Sequence, residues 1–165
     1  MATTYEPIAT QTLGSAASSI TFSSIPASWT DLRVVIVDTT STTSNGGFYF
    51  NGDTSALYSV TRISGNGSST YSSRSSGDGR FVLGYSALTS TTIPTMLTLD
   101  LFSYAGSTFK TGLCTFNADY SGSGGLDYVV GLYRSTSAIT SVTFITSPGN
   151  LSIGTTATLY GIKAA

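Results

Sequence analysis

A chain of 165 residues is long enough for one ordinary domain with a substantial core. Charged residues make up only 9% of it, the net charge is −1, and its cations are scattered, which excludes the clustered positive footprint of a nucleic-acid binder. No apolar run approaches the ~20 residues of a membrane-spanning helix, and an apolar content of 40%, with Tyr 10 and Phe 8, excludes a disordered chain.

The start, Met1-Ala2-Thr3-Thr4-Tyr5-Glu6, has neither the basic nor the apolar region of a secretory leader, so none is expected. Residues 1–10 read as an extended arm, and residues 11–165 as a single domain with no internal repeat. Period-2 alternation then recurs along the chain, and helical periodicity is almost absent. Ser19 to Phe22 alternates polar and apolar. Leu32 to Val37 is apolar on both faces, as a central strand requires. Phe48 to Phe50, Tyr58 to Ile63, Arg80 to Tyr85 and Leu97 to Phe102 follow. Lys110 to Phe116, Tyr128 to Arg134, Thr140 to Ile145 and Thr156 to Ile162 complete about ten strands. β-branched and aromatic residues fill these segments. The expected fold is all-β: an antiparallel β-sandwich, jelly-roll-like, in one domain.

Between the strands, Asn45-Gly46-Gly47, Asn51-Gly52-Asp53 and Ser147-Pro148-Gly149-Asn150 read as turns that can take up positive φ. Ser64 to Gly79 reads as a long, hydroxyl-rich loop, functional or mobile. Ser121 to Gly125 reads as a second flexible loop.

The chain has no histidine, which removes Ser-His-Asp and Cys-His catalysis and His-ligated zinc. Cys114 is the only cysteine, so an internal disulfide is impossible and a buried small hydrophobe is its plain reading. Glu6 is the only Glu, and the Asp residues show no spacing that singles out a carboxylate pair. Gly65-Asn66-Gly67 and Gly77-Asp78-Gly79 lack the helix and the Lys of a phosphate-binding loop. No catalytic, cofactor or metal residue is therefore assigned, and an enzyme is not expected. Tyr49, Asn51 and Asp53 form one candidate surface site, with Tyr71 in the long loop. Amides and carboxylates can hydrogen-bond sugar hydroxyls while rings stack on a sugar face. Asn51 and Asp53 could also offer oxygens to Ca²⁺, and a simple hairpin turn is the plainer reading. Trp29 is either a binding anchor or a packing residue.

Three blocks recur in order in one known family. The first runs from Thr12-Leu13-Gly14-Ser15 through Ile20-Thr21-Phe22-Ser23-Ser24-Ile25-Pro26 to Trp29-Thr30-Asp31-Leu32-Arg33-Val34. The second is Phe50-Asn51-Gly52-Asp53-Thr54-Ser55 with Tyr58. The third runs from Leu132-Tyr133-Arg134 through Ser141-Val142-Thr143-Phe144 to Gly149-Asn150-Leu151 and Thr158-Leu159-Tyr160-Gly161-Ile162. In these the chain resembles small β-sandwich virion structural proteins of tailed bacteriophages, over nearly its whole length. The resemblance implies a capsid decoration (cement) protein made in the host cytoplasm and carried on the virion surface. It would bind the major capsid protein through an arm containing Thr3, Tyr5, Pro7 and Ile8, and would pack with copies of itself as a homo-oligomer. Many weak contacts on one shell then add up. The alternative is a tail-fibre or surface module that recognises host carbohydrate. Neither version involves nucleic acid, a membrane or a cofactor.

Overall fold

The computed structural model describes residues 4–38, 45–83 and 93–163. Among these, twelve strands form two antiparallel sheets. In chain order they are β1 (Tyr5–Thr12), β2 (Ser19–Phe22), β3 (Asp31–Asp38), β4 (Asn45–Phe50), β5 (Tyr58–Gly65) and β6 (Thr70–Asp78), then β7 (Phe81–Val82), β8 (Thr95–Phe102), β9 (Lys110–Asp119), β10 (Gly124–Tyr133), β11 (Val142–Ser147) and β12 (Thr156–Ile162). The large sheet has eight strands in the order β1-β12-β3-β8-β9-β10-β5-β6, and the small sheet has four in the order β2-β11-β4-β7. Most neighbours in space are distant in sequence, and the result is a jelly-roll-like sandwich.

Alternation sorts the side chains as the pleat demands. Leu32, Val34 and Ile36 on β3 and Leu97, Leu99 and Leu101 on β8 are all buried on the inner face. They meet Ile20, Phe22, Phe48 and Phe144 of the small sheet. Toward β5 the core becomes aromatic. Tyr58 stacks on Tyr133 at 4.6 Å, and Phe81 meets both Phe50 and Tyr58 edge-on, at 5.1 and 5.7 Å. Such offset and T-shaped contacts add to the area that the rings bury. Cys114 lies among these residues with no exposed surface, and burial pushes its thiol pKa up, so it is an inert core residue.

The two strands beyond the expected ten are β1 and β6. The residues read as an arm are an edge strand: β1 pairs with β12 from Tyr5↔Ile162 to Thr12↔Thr156. The Tyr5 ring stacks on Tyr160 at 4.7 Å, and Ile8 packs against the core. Pro7 is tolerated because an edge strand leaves one side without a ladder; Thr3 lies outside the described residues. The residues read as a long loop form a hairpin, in which β6 pairs with β5 from Gly65↔Thr70 to Tyr58↔Asp78. Only Asn66 to Ser69 turn, with the Asn66 carboxamide oxygen accepting from the backbone N–H groups of Ser68 and Ser69 at 3.0 and 2.8 Å.

Asn45-Gly46-Gly47 is strand rather than turn. It opens β4, and a Cβ on Gly46 would stand 2.7 Å from the Phe144 ring, so glycine here serves close packing. The second flexible loop is a tight reversal: Tyr120 N–H donates to Ser123 O at 2.7 Å, and Gly124 and Gly125 already belong to β10. Of the strand expected from Arg80 to Tyr85, Phe81 and Val82 form β7, and Tyr85 lies outside the described residues.

Candidate functional site

The sequence-level site does not assemble. Asn51 and Gly52 turn with positive φ (55° and 69°), as the hairpin reading requires. The Asn51 side chain, however, braces a neighbouring segment. Its amide nitrogen donates to Ala138 O at 2.8 Å, and its oxygen accepts from the backbone N–H groups of Thr140 and Ser141 at 2.8 and 3.2 Å. Asp53 is equally engaged. One carboxylate oxygen accepts from Ser55 N–H at 2.8 Å and the other from the Tyr133 hydroxyl at 2.9 Å, and these bonds lower its pKa. Tyr49 is half-buried and faces away from Phe48 and Phe50, opposite Thr143. Tyr71 is 43% exposed but pairs with Ser64, six residues along the hairpin from Tyr58 or roughly 20 Å. None of these four residues lines the groove described below. Trp29 is a packing residue: its ring covers Gly161, and Lys163 Nζ sits 4.8 Å from the ring centroid.

A different site is present on the outer face of the large sheet. Strand pairing sets Met96, Asn117, Leu126 and Gly65 side by side across β8, β9, β10 and β5. The row lies at the end of the sheet where the β5–β6 and β9–β10 reversals rise beside it. Together they form an open groove of about 570 Å³, within the range of small-ligand sites. Met96 and Leu126 give it an apolar floor, 44% and 46% exposed. Asn66, Asn117 and Asp119 give it polar walls. Asn66 and Asp119 each use one side-chain oxygen to pin their own turn, Asp119 accepting from Ser121 N–H at 2.8 Å. Asn117 makes one long contact, 3.4 Å to the Thr115 hydroxyl. The Asn66 amide nitrogen, the Asn117 carboxamide oxygen and the second Asp119 oxygen keep hydrogen-bonding capacity for a ligand.

Tyr128 stands two residues along β10 from Leu126, ~7 Å away on the same face, and is 51% exposed. With Ile63 and Val130, which are more than half exposed, it extends the apolar floor onto β5 and β10. The sequence carried a signal for this residue: Val129 alternates with Tyr128 and Val130, and one set must face outward. The other half of the same face is more mixed, with Thr10 bonded to Thr158 at 3.1 Å, Thr98 to Thr115 at 2.6 Å, and Arg33 paired with Asp100 at 2.6 Å.

Lys110, counted in sequence among the scattered cations, has no exposed surface. Its ammonium donates to the carbonyl oxygens of Gly106, Thr108 and Thr136, and so ties the β8–β9 connection to the segment after β10. Burial lowers its pKa. Among the described residues no three His, Cys, Asp or Glu side chains gather as a metal cluster would require.

No protein-family model matches the chain, and no curated protein does. Among solved structures, the chain is similar to the galectin LEC-6 of Caenorhabditis elegans, with 11% identity over 91% of this chain and 94% of that one, at a TM-score of 0.34. It is also similar to a bifunctional GH43-CE protein of Bacteroides eggerthii, with 8% identity over 82% of this chain and 17% of that one, at 0.29. A third likeness is to the Eiger TNF of S. frugiperda, with 12% identity, 81% and 60% coverage and a TM-score of 0.20. Likenesses at this level carry no functional argument.

Proposed function

We propose that this chain is a non-catalytic recognition module of a tailed-phage particle, and that it holds a host carbohydrate in the groove between the two hairpin ends. The phage setting rests on the three sequence blocks. The groove carries the binding reading: an apolar floor is flanked by two amides and a carboxylate with capacity to spare. Sugars offer that same combination, hydroxyls around an apolar ring face, and Tyr128 beside the floor supplies a ring to stack on. Weak binding at each copy suffices on a particle that carries many copies.

The test is binding of the purified chain to a panel of bacterial surface polysaccharides and their oligosaccharides. Tyr128→Ala should weaken binding about tenfold, which corresponds to ~1.4 kcal/mol. Asn117→Ala should weaken it as well, with little change in melting temperature, since Asn117 makes one long contact within the chain. Absence of any saccharide binding, or binding untouched by these variants, overturns the reading. A second reading, capsid decoration, draws support from the exposed side chains of Ile63, Tyr128 and Val130 in a chain nearly free of charge. A copy number on purified particles equal to that of the major capsid protein favours decoration, and a few copies per particle favour a tail position.

A further inference from the structure

Within the carbohydrate reading, on which this step rests, we propose that the groove selects 2-acetamido sugars: Asn66 and Asp119 hold the acetamido group between them while its methyl rests on Leu126. Leu126 lies on β10, between β9 and β5, and shares one row with Asn117 and Gly65. Asp119 on β9 and Asn66 in the turn after β5 stand just past that row, on opposite sides of Leu126, and all three line the groove. The two flanking strands are two places apart, roughly 9.5 Å. What each wall offers is set by its own turn. One Asp119 oxygen accepts from Ser121 N–H at 2.8 Å, which leaves the other as an acceptor. The Asn66 oxygen accepts from Ser68 and Ser69 N–H at 3.0 and 2.8 Å, which orients the carboxamide and leaves its NH2 as a donor. One wall therefore accepts, the other donates, and between them lies an apolar side chain that is 46% exposed.

A secondary amide matches that order of groups. Its trans geometry puts N–H and C=O on opposite edges. It therefore needs an acceptor on one side and a donor on the other, as a peptide group in a sheet finds on its two neighbouring strands. An acetamido group carries this pair beside a methyl. Its N–H donates to Asp119, its carbonyl oxygen accepts from the Asn66 NH2, and its methyl covers part of Leu126. The sugar ring then lies along the floor toward Tyr128. A hydroxyl in the same place reaches one wall only and leaves the apolar strip wet. Charge disfavours the other classes. Asp119 is the only ionised side chain that lines the groove, and no Arg or Lys lines it. An acidic sugar brings its carboxylate against Asp119 with no cation to offset it, and like charges set together cost affinity. A free amino sugar can pair its ammonium with Asp119, but an exposed ion pair contributes little, and an ammonium has no oxygen to accept from Asn66.

The test compares disaccharides of one skeleton, titrated into the isotope-labelled full chain and followed by nuclear magnetic resonance. Diacetylchitobiose carries acetamides, cellobiose hydroxyls, chitosan disaccharide free amines, and cellobiouronic acid a carboxylate. Diacetylchitobiose should bind about tenfold or more tightly than cellobiose, with the largest shifts at the Asn66 side-chain NH2 and around Leu126. The acid should bind most weakly. Asp119→Asn keeps an oxygen for Ser121 N–H but turns an NH2 to the groove. It should reduce the preference for acetamide to below about threefold and raise the affinity of the acid several-fold. Asn66→Asp keeps the oxygen that pins Ser68 and Ser69 but removes the donor, and should weaken diacetylchitobiose about tenfold. Because both variants retain their turn bonds, their melting temperatures should stay near that of the parent chain. Cellobiose or the amine binding as tightly as diacetylchitobiose, or a preference that survives Asp119→Asn, overturns the selection and leaves the carbohydrate reading standing. If no saccharide of this set or of the polysaccharide panel binds, that reading falls and the selection falls with it.

Discussion

Tyr58 places a phenol in the centre of the aromatic core with no exposed surface. Its hydroxyl donates to Asp53 O at 2.8 Å and accepts from Phe50 N–H at 3.0 Å, closing the turn that Asn51 and Gly52 make. Burial raises its pKa well above the ordinary 10.0, and burial raises Tyr104 and Tyr133 in the same direction. A group whose folded pKa lies above its unfolded value contributes stability that is complete below the unfolded value and is lost as pH rises through the folded one. Unfolding midpoints in urea should therefore decline as pH rises above about 10. Lys110 acts with the opposite sign, because its folded pKa is depressed and stability gains as pH rises toward 10.5. Comparison with Tyr58→Phe cancels that contribution, since Lys110 is common to both proteins. The variant should lose about 1–3 kcal/mol at pH 7, having left the Phe50 N–H without its acceptor, and should decline less steeply in alkali. Equal alkaline slopes in the two proteins would show that the Tyr58 phenol does not set this dependence.

Among the elements, β10 shows how one strand serves two surfaces. Its inner residues Val129 and Tyr133 are core, its outer residues Leu126, Tyr128 and Val130 are the groove floor and its extension, and Gly131 admits Phe81. A Cβ on Gly131 would stand 2.6 Å from the Phe81 ring, so Gly131→Ala must push that ring out of its edge contacts with Phe50 and Tyr58. The expected cost is about 1–3 kcal/mol, the usual range for overpacking, with altered near-ultraviolet dichroism from the displaced aromatics; an unchanged melting curve would mean that the ring moves freely. Strands of this kind were legible in sequence because burial on one face writes a period of two, and all ten expected strands that carry buried residues correspond to elements wholly or partly within the described residues. β6 was illegible because its residues from Thr70 to Gly77 are exposed, so Thr70-Tyr71-Ser72-Ser73-Arg74-Ser75-Ser76 has no apolar alternation to read. β1 was disguised by Pro7 and Glu6, residues that argue against an inner strand and are at home on an edge. The groove was illegible for another reason: Met96, Asn117 and Leu126 meet only through strand register, which no local pattern specifies.

At the scale of the whole molecule, β1 guards one end of the large sheet, where it covers β12. Removing residues 1–12 takes away the Tyr5–Tyr160 stack, the Thr10–Thr158 hydroxyl bond and the Gln11 cover on β2. It also uncovers β12, seven residues of Thr156 to Ile162 with no charge and no proline. The core residues of β3, β8 and β10 remain, so the truncated chain should still fold, with a melting temperature lowered by about 2–4 °C for each kcal/mol lost. Its association should change in kind. With β12 uncovered, each copy carries a long edge with no charge and no proline to blunt it, a template for other chains. Light scattering of the truncated chain should therefore grow with concentration more steeply than that of the full chain. A truncated chain with the full-length melting temperature and no added association would return β1 to the status of a detachable arm.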